Sequence, residues 1–133
     1  ALPICWASGE HRQWSFDTEP ACCAPLPGGQ LLPNTELGHL QVDGEEAEAQ
    51  ASSRAKEVNE WSYKHWAGKL SRVLAEYEML FSPALFIVGG GISRKAHKWT
   101  PLLTNSTPVV PANLRNTAGI VGAAMAAEAG MRP

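Results

Sequence analysis

Ala84-Leu85-Phe86-Ile87-Val88-Gly89-Gly90-Gly91-Ile92-Ser93 is an apolar run that breaks into three glycines and then into a polar helical start. Five apolar residues in a row, preceded by Pro83 and closing on β-branched Ile87 and Val88, predict a strand covered on both faces, as in a parallel sheet. Successive glycines permit positive φ and let a ligand approach bare backbone. Ser93 is placed to cap a following helix, whose free N–H groups and positive dipole end suit a phosphate or a sugar-nucleotide edge. Two readings stay open at this point, a ligand-facing turn and a plain strand-to-helix turn. The run is not G-x-G-x-x-G and has no P-loop lysine.

The rest of the chain narrows the class. Its 133 residues suit one small domain, and a formal charge of -2 with 18% charged residues provides no basic field for nucleic acid. No apolar run approaches the length of a membrane span and no secretory pattern is visible, so neither a membrane nor export is indicated. Cys5, Cys22 and Cys23 leave an odd thiol without C-x-x-C spacing, which supports neither a disulfide framework nor zinc and makes a reducing cytoplasm the expected setting.

Residues 1–28 set Trp6, Trp14 and Phe16 among prolines with no sustained period, and we treat them as an irregular leader distinct from residues 29–133. His11 falls in this leader and is expected in a surface loop. Beyond it, Gly28-Gly29 reads as a turn, Leu31-Leu32 as a returning strand and Pro33-Asn34 as a bend. Leu40 and Val42 alternate with polar residues as a half-buried strand does, and Asp43-Gly44 ends it. Just upstream, Glu36 and His39 can converge on one small polar ligand, with Gly38 leaving room between them. Glu45 to Asn59 reads as an exposed helix, with Glu45, Glu46 and Glu48 as its solvated face.

The next helix is capped by Ser62, with Trp61 packing on Trp66 as a hydrophobic staple. Its core stripe is Trp66, Leu70, Val73, Leu74, Tyr77, Leu80 and Phe81, its polar side carries His65, and Pro83 stops it. After the glycines, Lys95, His97, Lys98 and Trp99 lie on a short helix, and Thr107 to Pro111 forms a second strand. Asn105-Ser106-Thr107 matches a glycosylation acceptor by letter, without a secretion signal to support it. Asn116 or Thr117 would cap a last, small-residue helix through Ala127. Helix, strand, helix, strand, helix predicts a βαβ unit in a parallel sheet, with ligands gathering beyond the strand ends at Gly89 to Gly91.

Several of these runs together resemble one family. Glu36-Leu37-Gly38-His39 is similar to the E-x-G-H sugar motif of the ROK kinases and repressors, and Val88-Gly89-Gly90-Gly91-Ile92-Ser93 to that family's adenosine-side glycine motif. Leu32 to Leu40, Lys98 to Leu103 and Asn116 to Ala124 resemble its actinobacterial polyphosphate glucokinase branch, so that the likeness covers residues 29–127 in order. The resemblance implies an α/β fold: the C-terminal portion of an actin-like, hexokinase-type (ribonuclease H-like) ATPase domain, with a βαβ unit and flanking helices. It implies phosphoryl transfer from polyphosphate, or ATP, with Mg2+, to the 6-hydroxyl of glucose, in a cytoplasmic homodimer. Asn34, Glu36 and His39 would then bind sugar, while Gly89, Gly90, Gly91, Ser93 and Lys95 would face the donor, and Lys98 could help attract a polyanion.

The departures are equally specific. No C-x-C-G-x-x-G-C zinc motif follows His39, which fits the polyphosphate branch and argues against zinc. The family's D-x-G-G-T loop and the general-base aspartate of its N-D-A segment are absent, so no catalytic residue is assigned. Ala21-Cys22-Cys23-Ala24-Pro25 stands where the G-T-G-x-G loop is expected, which suggests a shifted reading frame or unrelated sequence for the first residues. Two readings compete: a sugar kinase by descent that is incomplete as the chain stands, and a non-catalytic sugar-binding or dimerising remnant.

Overall fold

A computed structural model describes residues 37–112 throughout and, by backbone, the strands β1 (Ile4–Ser8) and β2 (Pro25–Pro27). The apolar run forms β5 (Leu85–Val88), and its residues are shared between two faces as a doubly covered strand requires. Phe86 and Val88 enter the main core, while Ile87 packs with Ala112, Leu85 and Val110 on the other side. The expected parallel neighbour is β6 (Val109–Pro111), in register Phe86 to Val109, with Phe86 N–H donating to the Pro108 carbonyl and Ala112 N–H to the Val88 carbonyl at 2.9 Å each. On its other edge β5 pairs antiparallel with β1, and the sheet runs β2-β1-β5-β6. β1 and β2 come from the stretch in which no period was legible.

The helix that feeds β5 is α3 (Tyr63–Phe81), capped by the Ser62 hydroxyl, which accepts the His65 N–H at 3.2 Å. Trp66, Leu70, Val73, Leu74 and Tyr77 are buried as the 3.6 period demands. Leu80 departs from the stripe and is 54% exposed. Ser82 takes a left-handed conformation (φ 46°) that ends the helix before Pro83. Trp61 meets the His65 ring at 5.1 Å, whereas Trp66 makes an edge-on contact with Trp99 at 5.4 Å, because Trp66 turns into the core and Trp61 stays at its rim.

The predicted exposed helix over Glu45 to Asn59 is three pieces. β4 (Glu45–Glu46) pairs with β3 (Gln41–Val42) across Asp43 (φ 53°) and Gly44 (φ 86°), two successive positive φ angles that suit a tight hairpin. Next come α1 (Ala47–Ala51) and α2 (Ser53–Val58), separated at Ser52, whose extended backbone ends one helix while its hydroxyl accepts the Ala55 N–H at 3.1 Å to start the other. Far from lying exposed, α1 buries Ala47, Gln50 and Ala51. The break is stabilised from outside: Trp66 Nε1 donates to the Ala51 carbonyl at 2.9 Å, and buried Gln50 donates to the carbonyls of Val42 (2.7 Å) and Glu45 (3.3 Å).

Between β5 and β6 the chain makes a 3-10 helix (Gly91–Lys95), α4 (Ala96–Trp99) and a second 3-10 turn (Thr100–Leu102). The fully buried Trp99 seats this crossover, its Nε1 donating to the Ile92 carbonyl at 3.2 Å. The Gly28-Gly29 turn, the Leu31-Leu32 strand, His11 and the small-residue helix after Asn116 lie outside the described residues.

Candidate functional site

Leu37–His39 forms a 3-10 turn ahead of β3, closed by Leu40 N–H donating to the Leu37 carbonyl at 3.1 Å. α1 packs over this turn, with Ala47 N–H donating to the Leu40 carbonyl at 2.8 Å. The room left by Gly38 is not empty: a Cβ at that position would meet Glu48 Oε2 at 3.1 Å. Glu48, expected on a solvated face, is half-buried against the turn because the Ser52 break tips α1 onto it. The sequence signal that could have found it was the Gln50 and Ala47 spacing of a buried face, masked by the surrounding glutamates.

His39 is exposed and its Nδ1 lies 3.4 Å from Glu46 Oε2, across the hairpin that follows it. His39 on the turn and Glu48 on the helix packed against Gly38 thus border the same short stretch, while Glu36 and Asn34 fall outside the described residues. The exposed His39 imidazole with the Glu46 carboxylate beside it can donate and accept hydrogen bonds with neighbouring hydroxyls, the pattern a sugar presents. The hairpin beneath is clamped to α3 by Arg72, whose Nε and Nη2 reach Asp43 Oδ2 and Oδ1 at 2.9 and 3.0 Å, while Nη2 also reaches Glu76 at 2.6 Å.

At the end of β5, Gly89 and Gly90 are buried and Gly91 is exposed, with open space where its Cβ would stand. Of the three, only Gly90 uses positive φ (70°, with ψ -174°). Ser93 does not cap the helix, whose N-cap is Gly90. The Ser93 hydroxyl is buried and donates to the Gly90 carbonyl at 2.6 Å, because the chain enters a tight 3-10 turn at Gly91, one turn earlier than the cap reading assumed. Ser93 therefore braces the turn from inside. Lys95, His97 and Lys98 are exposed, and Lys98 approaches the Tyr63 ring at 6.0 Å. The sugar-motif turn and the glycine turn border the same core, through Leu37 and Leu40 from one and Ile92 from the other.

The stretch from Gly89 to Lys95 contains no carboxylate, and among the described residues no three His, Cys, Asp or Glu side chains converge as metal ligands. No step is assigned to Mg2+ on this chain. Asn105, of the glycosylation-like triplet, is half-buried with Nδ2 donating to the Thr107 carbonyl at 2.6 Å and to Glu78 Oε1 at 3.3 Å. No helix among the described residues is long and apolar enough to cross a membrane.

No protein-family model matches the chain. Individual proteins do. A polyphosphate glucokinase of Mycobacterium tuberculosis is 61% identical over 106 residues, which is 80% of this chain and 40% of the relative. That of Mycobacterium leprae is 58% identical over 106 residues, 33% of its length. The crystal structure of an inorganic polyphosphate/ATP-glucomannokinase from Arthrobacter sp. strain KM superimposes with a TM-score of 0.72 at 51% identity, over 77% of this chain and 40% of that one. The α/β unit is accordingly a C-terminal portion of the actin-like, hexokinase-type fold expected from the sequence. A match of 106 residues within 133 necessarily takes in both the Glu36 to His39 turn and the glycine turn.

Proposed function

Because this chain is a relative of the polyphosphate glucokinases over 80% of its length, we propose that it furnishes the sugar-holding turn and one donor-side turn of a glucokinase-type phosphotransferase. The reaction is transfer of a phosphoryl group from polyphosphate or ATP to the 6-hydroxyl of glucose, in the cytoplasm and as a homodimer. Asn34, Glu36 and His39, joined by Glu48 from α1, hold sugar hydroxyls. Gly89, Gly90 and Gly91 admit the donor to bare backbone, Ser93 keeps that turn in shape, and exposed Lys95 favours a polyanion. Phosphoryl transfer depends on positioning and charge stabilisation, so two correctly held turns are a meaningful share of the machinery. No general base is assigned to this chain, and Mg2+ would arrive with the donor's phosphates.

The observation that carries this reading is the 61% identity spanning both turns. The test is glucose binding by calorimetry and glucose phosphorylation with each donor, for the chain and for Glu36→Ala. Saturable glucose binding that Glu36→Ala abolishes is expected, without turnover. Binding that survives the substitution unchanged, or no binding by the chain, overturns the sugar-site assignment, and turnover would reveal a base on this chain. The alternative, a dimerising piece without a sugar site, draws on the exposed apolar side chains Met79 (74%) and Leu80 (54%) at the end of α3.

A further inference from the structure

We propose that Tyr77 is a positioning residue for the sugar-motif turn, holding it from inside the core through the Leu37 carbonyl. The inference deepens the reading above and rests on it for its link to glucose. Tyr77 is fully buried at the C-terminal end of the buried α3 stripe, a site where a phenylalanine would satisfy packing alone. Its hydroxyl instead crosses to a different element and donates to the Leu37 carbonyl at 3.0 Å, forty positions earlier in the chain. Leu37 is the residue between Glu36 and Gly38, so the bond lands inside the sugar motif.

That carbonyl also accepts the Leu40 N–H at 3.1 Å, the bond that closes the 3-10 turn. One oxygen thereby receives two donors, one that sets the curvature of the turn and one that fixes it to α3. A carbonyl has two acceptor directions, and both are occupied. The peptide plane of Leu37 cannot rotate without breaking one of them, and the orientation of that plane sets where the neighbouring side chains leave the backbone. α1 in turn brings Glu48 against Gly38. The turn is held by a buried phenol and packed by a carboxylate-bearing helix, while His39 remains exposed.

The test compares the intact chain with Tyr77→Phe, which keeps the ring and its packing, and with Ser71→Ala. Ser71 is buried on the same helix and accepts the Thr104 N–H at 3.0 Å, so its loss removes a similar bond that does not touch the turn. Amide hydrogen exchange reads the turn directly. Tyr77→Phe is expected to speed exchange of the Leu40 N–H about tenfold relative to amides in the middle of α3, and Ser71→Ala to leave that ratio unchanged. Calorimetry then reads glucose, with its dissociation constant expected to rise about fivefold to tenfold in Tyr77→Phe alone.

Unchanged Leu40 exchange in Tyr77→Phe overturns the proposal whatever happens to glucose. So does an equal weakening of glucose binding by both variants, which would report general loosening. If the unsubstituted chain does not bind glucose, the sugar reading fails separately, and the exchange ratio alone decides whether Tyr77 holds the turn.

Discussion

Glu78 offers a direct way to measure how firmly the crossover is fastened to α3. Its carboxylate receives the Thr107 N–H in a very short bond and Asn105 Nδ2 at 3.3 Å, tying the last turns of α3 to the segment that becomes β6. Burial pushes its pKa up, but the donors of Thr107, Asn105 and Ser106 together outweigh burial and hold it below the ordinary carboxylate value. A folded-state pKa lower than the unfolded one contributes stability that is fully present above the unfolded value of 4.5 and is lost as pH falls through the folded value. Glu78→Gln retains an acceptor and removes the charge. A hydrogen bond to a charged group contributes about 1.5–3 kcal/mol against roughly 1 kcal/mol for a neutral one, so the variant should lose about 0.5–2 kcal/mol at pH 7. Urea unfolding, followed by the fluorescence of buried Trp66 and Trp99 at pH 7, 5, 4 and 3, gives the difference directly. The gap should stay constant from pH 7 to about 5 and narrow below 4.5. A gap of constant size down to pH 3 would refute the reasoning, since the charge would then contribute nothing.

Two further substitutions probe the candidate turns. Gly38→Ala places a methyl 3.1 Å from Glu48 Oε2, the movable end of a side chain, so stability should change by less than about 0.5 kcal/mol while glucose affinity falls several-fold; titration calorimetry beside urea unfolding separates the two, and unaltered affinity removes Glu48 from the site. Gly90→Ala forces a side chain into φ 70°, ψ -174°, a region L-residues rarely occupy, and should cost about 1–3 kcal/mol. A thermal midpoint equal to that of the unsubstituted chain would show that the turn can relax.

What could be read in advance followed the strength of the local signal. β5 and α3 were legible because five consecutive apolar residues and a 3.6-residue stripe each report burial that the element itself enforces. The parallel partner β6 followed from the helical crossover, and Asp43-Gly44 marked the end of β3 but not the hairpin it makes with β4. The segment over Glu45 to Asn59 misled because its many Glu and Ala residues carry high helix propensity, whereas the decisive facts are tertiary: Trp66 claiming the Ala51 carbonyl and Gln50 claiming those of Val42 and Glu45. Ser93 looked like a cap because it begins the polar stretch, yet its hydroxyl is satisfied three residues back, at Gly90. Tyr77 read as one more stripe residue, since a sequence shows a phenol's spacing and not where its hydroxyl points. The pairing of β1 with β5 left no trace in the sequence, because a long-range strand contact has no period.

The mixed pairing of β5 also sets an order of assembly. Its parallel edge joins Phe86 to Val109, a separation of 109 − 86 = 23 positions, while its antiparallel edge joins Trp6 to Phe86, a separation of 86 − 6 = 80. Closing the longer loop costs about 1 kcal/mol more chain entropy, from (3/2)RT ln(80/23). Loop closure therefore favours α3, β5 and β6 gathering around Trp66 and Trp99 before β1 and β2 join the other edge of β5. A β5 edge not yet paired with β1 is open to any other extended strand, so the longer of its two closures is also the one that guards the sheet against mispairing.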